Sequence, residues 1–90
     1  SWTQRLKANW SMIDREKDTK MRITSSDHAL SALEAERKAQ QLSSREVGRR
    51  AGLSVNAYRR AARERGGVRL STVLAAAEAL GLELRLVAPE

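Results

Sequence analysis

The sequence predicts an all-α fold, a small helical bundle finished by a short C-terminal strand, and three observations carry that reading. Ser43 to Leu80 contains two short helical patterns hinged at Ala51-Gly52-Leu53-Ser54. Capping and stopping residues bracket the periodic stretches: serines at 25, 26, 43, 54 and 71 before them, Gly52, Gly66-Gly67 and Gly81 after them. Past Gly81 the period changes from helical to alternating.

Taken in order, five helices and a terminal strand are expected. Trp2, Leu6, Trp10 and Ile13 stand at i, i+4, i+8 and i+11, an apolar stripe on a helix that holds both tryptophans. The stripe packs on the chain's own core, binds a partner, or belongs to a leader ahead of a start at Met12 or Met21. Asp14 to Lys20 is charged and featureless, as a linker is. Ser25-Ser26-Asp27 offers caps for a helix from about His28 to Gln41, with Leu30, Leu33 and the stem of Arg37 on one face. In the hinged pair, Ser43 and Glu46 form an S-x-x-E capping box. Ser54 is placed to cap the second helix. Val47, Ala51, Leu53, Tyr58 and Ala61 face one another across the pair, and Gly48 stands where the two axes approach closely. Ser71 caps the last helix, whose buried side is Val73, Leu74, Ala77 and Leu80. Leu82, Leu84 and Leu86 then alternate with Glu83, Arg85 and Val87 as a strand, ended by Pro89. A lone strand exposes unpaired backbone, so it pairs with Met21-Arg22-Ile23-Thr24 or, the favoured choice, with its copy in a two-fold dimer. Residues 1–28 read as an extension and 29–90 as the domain proper.

Composition bounds the function. Ninety residues make one small domain, close to the size at which a core needs help from disulfides or metal. Cysteine is absent, which excludes disulfide frameworks and thiolate metal sites. No stretch is long and apolar enough to span a bilayer, no basic-then-apolar signal opens the chain, and Asp14, Glu16 and Asp18 argue against a membrane-surface helix. A cytoplasmic protein without a cofactor is the default. His28 is the only histidine and has no second histidine, cysteine or close carboxylate pair, so an enzyme is not expected. Gly66-Gly67 lacks the strand and lysine of a phosphate loop.

Charge is informative by position. The whole chain carries +6, yet from Arg37 to Arg69 there are ten basic residues against Glu46 and Glu64, or 10 − 2 = +8. All but Lys38 of those cations are arginines, whose planar fork suits phosphates and guanine edges. A steep crossing of two short helices needs a brief connection and a residue that tolerates a left-handed backbone, which Gly52 supplies. Together these features spell a helix-turn-helix and point to DNA.

Residues 30 to 88, about two-thirds of the chain, resemble the Cro/CI-type (XRE) helix-turn-helix family, and most of all its short antitoxin-like or autoregulatory repressor members. The resemblance is carried by Leu42-Ser43 into Glu46-Val47, Arg50-Ala51-Gly52-Leu53-Ser54, Leu70 to Thr72, and Ala77-Glu78-Ala79-Leu80-Gly81-Leu82-Glu83-Leu84; Arg37 matches a common arginine of the first helix. It implies a lambda-repressor-like bundle and, through the closing strand, a homodimer seamed by Leu82, Leu84 and Leu86. The chain departs from the family at four places. Ser44 replaces a glutamine that buttresses the recognition helix, and Ala61-Ala62-Arg63-Glu64 replaces its usual ending. Val68 stands for a proline, and Tyr58 for a smaller branched residue, so either its ring packs with the hydroxyl near the rim or the helix shifts outward.

On this reading Val55, Asn56, Arg59 and Arg60 lie on the groove-facing side and read bases, with Asn56 suited to adenine, an arginine to guanine and Val55 to a thymine methyl. Arg37, Ser44, Arg45, Arg63, Arg65 and Arg69 are placed for phosphates. The partners are operator duplex DNA, a second copy, and a protein such as a toxin or transcription factor held by Trp2, Leu6, Trp10 and Ile13. The expected function is a sequence-specific transcriptional regulator, an autorepressor or antitoxin. The alternative is an antiactivator-like interaction module on the same scaffold, which a basic face covered by the N-terminal segment would favour.

Overall fold

The computed structural model describes residues 9–15 and 19–88. Its elements run β1 (Asn9–Asp14), β2 (Thr19–Ile23), α1 (Ser26–Ala39), α2 (Ser44–Ala51), α3 (Ala57–Glu64), α4 (Leu70–Ala79) and β3 (Leu82–Val87). Among the described residues four helices are joined by a three-stranded antiparallel sheet of order β2-β1-β3, so the fold is α+β and not all-α.

Local signals start and stop most helices. The Ser25 hydroxyl accepts the His28 N–H at 3.1 Å and opens α1; the Ser43 hydroxyl accepts the Glu46 N–H at 3.0 Å and opens α2. α2 closes on Gly52, whose φ of 72° lies in the left-handed region. Two expected caps are absent. Asn56, not Ser54, stands at the N-cap of α3, and Arg69, ahead of Ser71, at that of α4, in both cases without a side-chain cap bond. The Arg69 carbonyl accepts from Thr72 and Val73, so α4 is under way before the Ser71 hydroxyl could serve. α3 ends on Arg65, which itself takes a φ of 58° ahead of the two glycines.

The largest departure from expectation lies at the N-terminus. Trp10 and Ile13 belong to a strand, not to an amphipathic helix; Trp2 and Leu6 lie outside the described residues. Part of the expected linker is strand as well, since Thr19 and Lys20 open β2. Trp10 faces Ile23 on one side and Leu86 on the other; Met12 faces Met21 and Leu84; Asp14 faces Thr19 and Leu82. β3 therefore finds a partner within the chain, and it is β1, which was not among the candidates; Met21 to Ile23 pairs with the far side of β1. The sheet thus crosses the division expected at residue 28. Pro89 lies outside the described residues.

Met12 and Leu82 carry the sheet into the core, where they join Ala29, Leu30 and Leu33 of α1, Val47 of α2, Tyr58 and Ala61 of α3, and Val73, Ala76, Ala77 and Leu80 of the α4 region. The stretch around α4 expected Leu74 on the buried side, but Leu74 is exposed and Ala76 takes its place. Gln40 joins the ends of α1 and α4, its side-chain amide donating to the Leu80 carbonyl at 2.7 Å. Burying that apolar surface drives the bundle together, and the sheet covers its open side.

Candidate nucleic-acid interface

α3 is anchored by one face and bare on the other. Tyr58 is wholly buried and Ala61 nearly so, whereas Arg59, Arg60 and Arg63 are exposed. At 3.6 residues per turn those three arginines span an arc of about 100° opposite the Tyr58 side. The arc contains no acid. Val55 and Asn56 are exposed in the turn that leads into α3. Asn56 makes no capping bond, so both halves of its amide are left for a ligand.

What holds α3 at its angle is a polar network under its first turn. The Tyr58 hydroxyl donates to Glu34 Oε1 at 2.7 Å. Arg37 grips the same carboxylate with two nitrogens, Nε at 3.1 Å and Nη2 at 2.7 Å, and reaches the Leu42 carbonyl with Nη1 at 2.8 Å. Three elements are thereby tied at one point: α1, α3 and the turn into α2. The Arg37 bonds, with help from Tyr58, hold the Glu34 carboxyl below the usual range against the opposing pull of burial. Burial, with the Glu34 bond, pushes the Tyr58 hydroxyl well above its ordinary value. The expectation that the tyrosine ring would pack inward thus holds, with the hydroxyl satisfied inside the bundle and not merely near its rim.

Four of the ten cations counted between Arg37 and Arg69 are committed to the protein itself. Arg37 serves Glu34, so it is turned inward, away from any phosphate. Arg65 donates to the Ala62 carbonyl and, at 2.8 Å, to Ser31 Oγ, with Asp27 Oδ1 3.5 Å away; it staples the end of α3 to α1. Arg49 and Arg50 share Glu46, at 2.6 and 3.0 Å. That is why the capping box is only half formed: the Glu46 carboxylate serves the two arginines on its own helix instead of reaching back to the Ser43 amide. The Arg49 bond, then the Arg50 bond, bring the Glu46 carboxyl down to about 2. Lys38, Arg45, Arg59, Arg60, Arg63 and Arg69 are exposed and make no ion pair among the described residues. Ser44 is half-buried in the first turn of α2.

Sequence reasoning missed the inward role of Arg37 and Arg65. For Arg37 a signal existed, because Glu34 stands three residues earlier on the same helix; the partner of Arg65 lies 34 residues away and left no trace. Of the residues expected to bind a protein partner, Ile13 is 4% exposed and withdrawn from the surface, while Trp10 is 37% exposed and lies on β1.

A helix-turn-helix family model matches residues 33–87, more than half of the chain and the span from mid-α1 to the end of β3. The chain belongs to the Cro/CI-type (XRE) helix-turn-helix family. This helix-turn-helix family is one of DNA-binding regulators and is typically non-enzymatic. α2 and α3 are its motif, with α3 in the recognition position. No curated protein and no solved structure matches the chain significantly. Among the described residues no helix is long and apolar enough to cross a membrane, and no cluster of side chains could hold a metal ion.

Proposed function

We propose that the protein is a sequence-specific transcriptional regulator that binds duplex DNA as a homodimer, acting as an autorepressor of its own operon or as the antitoxin of a toxin–antitoxin pair. The observation that carries this reading is the bare arginine face of α3, with Asn56 and Val55 uncovered at its leading end. A desolvated contact to a protein partner has little use for three cations without an acid, whereas a major groove lined by phosphates and guanine edges has.

Val55, Asn56, Arg59 and Arg60 are the base readers in this proposal, and Arg45, Arg63 and Arg69, with Ser44 at the start of α2, contact phosphates. Such a protein works in the cytoplasm, beside its operator. The antiactivator alternative draws no support from the fold, because Arg59, Arg60 and Arg63 are exposed and the described part of the N-terminal segment lies in the sheet.

The test is binding to the DNA that precedes its own reading frame, followed across salt concentrations. The logarithm of the binding constant should fall linearly with the logarithm of salt, by about 0.9 per phosphate neutralised. Arg59→Ala should cost about 1–3 kcal/mol and relax preference at one operator position, whereas Arg63→Ala should weaken all sequences alike. Equal affinity for operator and random duplexes in the unmutated protein would overturn the proposal.

A further inference from the structure

A groove of about 310 Å³ runs between the sheet and the first turns of α1 and α4, with Trp10, Ile23 and Leu84 on the sheet side and Leu70 and Val73 on the α4 side. Trp10 pairs with Ile23, and Met12, two residues on and on the same face of β1, enters the core, so the groove lies on the helix-facing side of the sheet. Trp10 and Leu70 are exposed in it, while Val73 is buried.

The lining decides what such a groove can accept. Among the described residues no charged side chain lines it, although 31% of the chain is charged. A charge carried into it would lose hydration without gaining a counter-ion, and Asp27, the acid in the first turn of α1, would oppose an anion further. Its hydroxyls come from one place, Thr24-Ser25-Ser26 at the start of α1. Ser25 Oγ accepts the His28 N–H, which leaves its own proton to donate. Apolar walls with one polar corner are how small-molecule sites are built, and this volume lies at the small end of their range.

We propose that the groove binds a small neutral molecule, its aromatic or branched aliphatic body against Trp10 and Leu70 and a single hydroxyl or carbonyl group at Ser25 and Ser26. The site also touches the connection that follows α3. Val68 and Leu70, both lining it, bracket Arg69, the N-cap residue of α4 and a phosphate contact on the DNA-binding reading above. An occupant that touches both neighbours bears on the residue between them. Resting on that reading, the molecule is an effector: ligand and operator alter each other's affinity by one common factor.

Trp10 reports on the groove directly once Trp2→Phe has left it the only tryptophan. The probes are phenylbutanol and its charged analogues, phenylbutyrate and phenylbutylamine. The alcohol should shift Trp10 emission saturably, with a Kd below about 1 mM, and each charged analogue should bind about tenfold more weakly or worse. Leu70→Glu, an acid at an exposed helix start, should leave the circular dichroism of the domain intact and weaken the alcohol about tenfold or more. Ser26→Ala should weaken it by about two- to tenfold. No saturable response, equal responses to all three probes, or binding untouched by both substitutions would overturn the site. Emission that changes on dilution without a probe would assign the groove to a second copy and overturn it too. Saturating alcohol should move operator affinity about fivefold or more. If the alcohol binds and operator affinity stays put, the effector role falls and the site stands. If the protein prefers no duplex, the DNA reading falls, and the fluorescence titration still decides the site.

Discussion

Tyr58→Phe isolates the bond that sets the angle of α3. The substitution keeps the ring and removes only the hydroxyl that donates to Glu34 at 2.7 Å. A hydrogen bond to a charged group contributes about 1.5–3 kcal/mol when its loss leaves the partner bare. Here Arg37 retains both of its bonds to the carboxylate, and Glu34 is only half-buried, so water can reach the vacated lone pair. The loss should therefore fall at or just below the lower end of that range, about 1–1.5 kcal/mol, or some 4–12 °C in Tm for a domain of this size. Urea melts followed by circular dichroism measure it. The pH dependence is the sharper check. Glu34 has its folded-state value depressed below 4.5, so its contribution is present above that pH and is lost as pH falls through the folded value. The Phe variant lacks one of the donors that depress it, so the difference between the two proteins should shrink below about pH 4.5. A difference that is absent at neutral pH, or that persists unchanged into acid, would refute the network. Tyr58→Ala, which empties the site, should cost about 3–5 kcal/mol and abolish DNA binding with it.

At the alkaline end the sign reverses: Tyr58 is raised above 10.0 on folding, so its contribution is full below pH 10 and declines above it, and melts at pH 9 and 11 should differ in that sense. The two glycines of the motif should respond oppositely to alanine. Gly52→Ala forces a side chain into a φ of 72° with nothing nearby to reward it and should cost about 1–2 kcal/mol. Gly48→Ala places its methyl 3.6 Å from the Ser54 carbonyl and 3.8 Å from Tyr58 Cβ, ordinary contacts, so helix propensity should make it neutral to stabilising by about 1 kcal/mol in thermal melts. Arg65→Ala should lower Tm through the loss of its Ser31 and Asp27 contacts and leave the salt slope of DNA binding unchanged, in contrast to Arg63→Ala, which should reduce that slope by about one.

Much of the motif was legible because its signals are local. Ser25 and Ser43 each cap an amide three residues on, and Gly52 and Gly81 end their helices by a backbone freedom that a single residue confers. The face of α3 follows from 3.6-residue periodicity alone, and Leu82 to Val87 announces itself by alternation. The N-terminal strand did not, because Met12 and Ile13 are adjacent and both buried, which spoils the period of two, while Trp10 and Ile13 stand three apart and mimic a helix.

From the sequence by itself came the hinged pair and the residues that face outward from its second helix, since each rests on groups within one or two turns of one another, and the family, since the order and spacing of its motifs are read along the chain. Only the tertiary structure decided which cations are left without an ion pair among the described residues and which strand closes the sheet. Arg37 and Arg65 are drawn inward by Glu34, Ser31 and Asp27, and β3 is paired by a segment some seventy residues earlier. A guanidinium takes whichever acceptor the packed core brings within reach, and a strand edge takes whichever backbone lies alongside; Glu34 is within a turn of Arg37, but for Arg65 and β3 the choice is not encoded in the spacing of nearby residues.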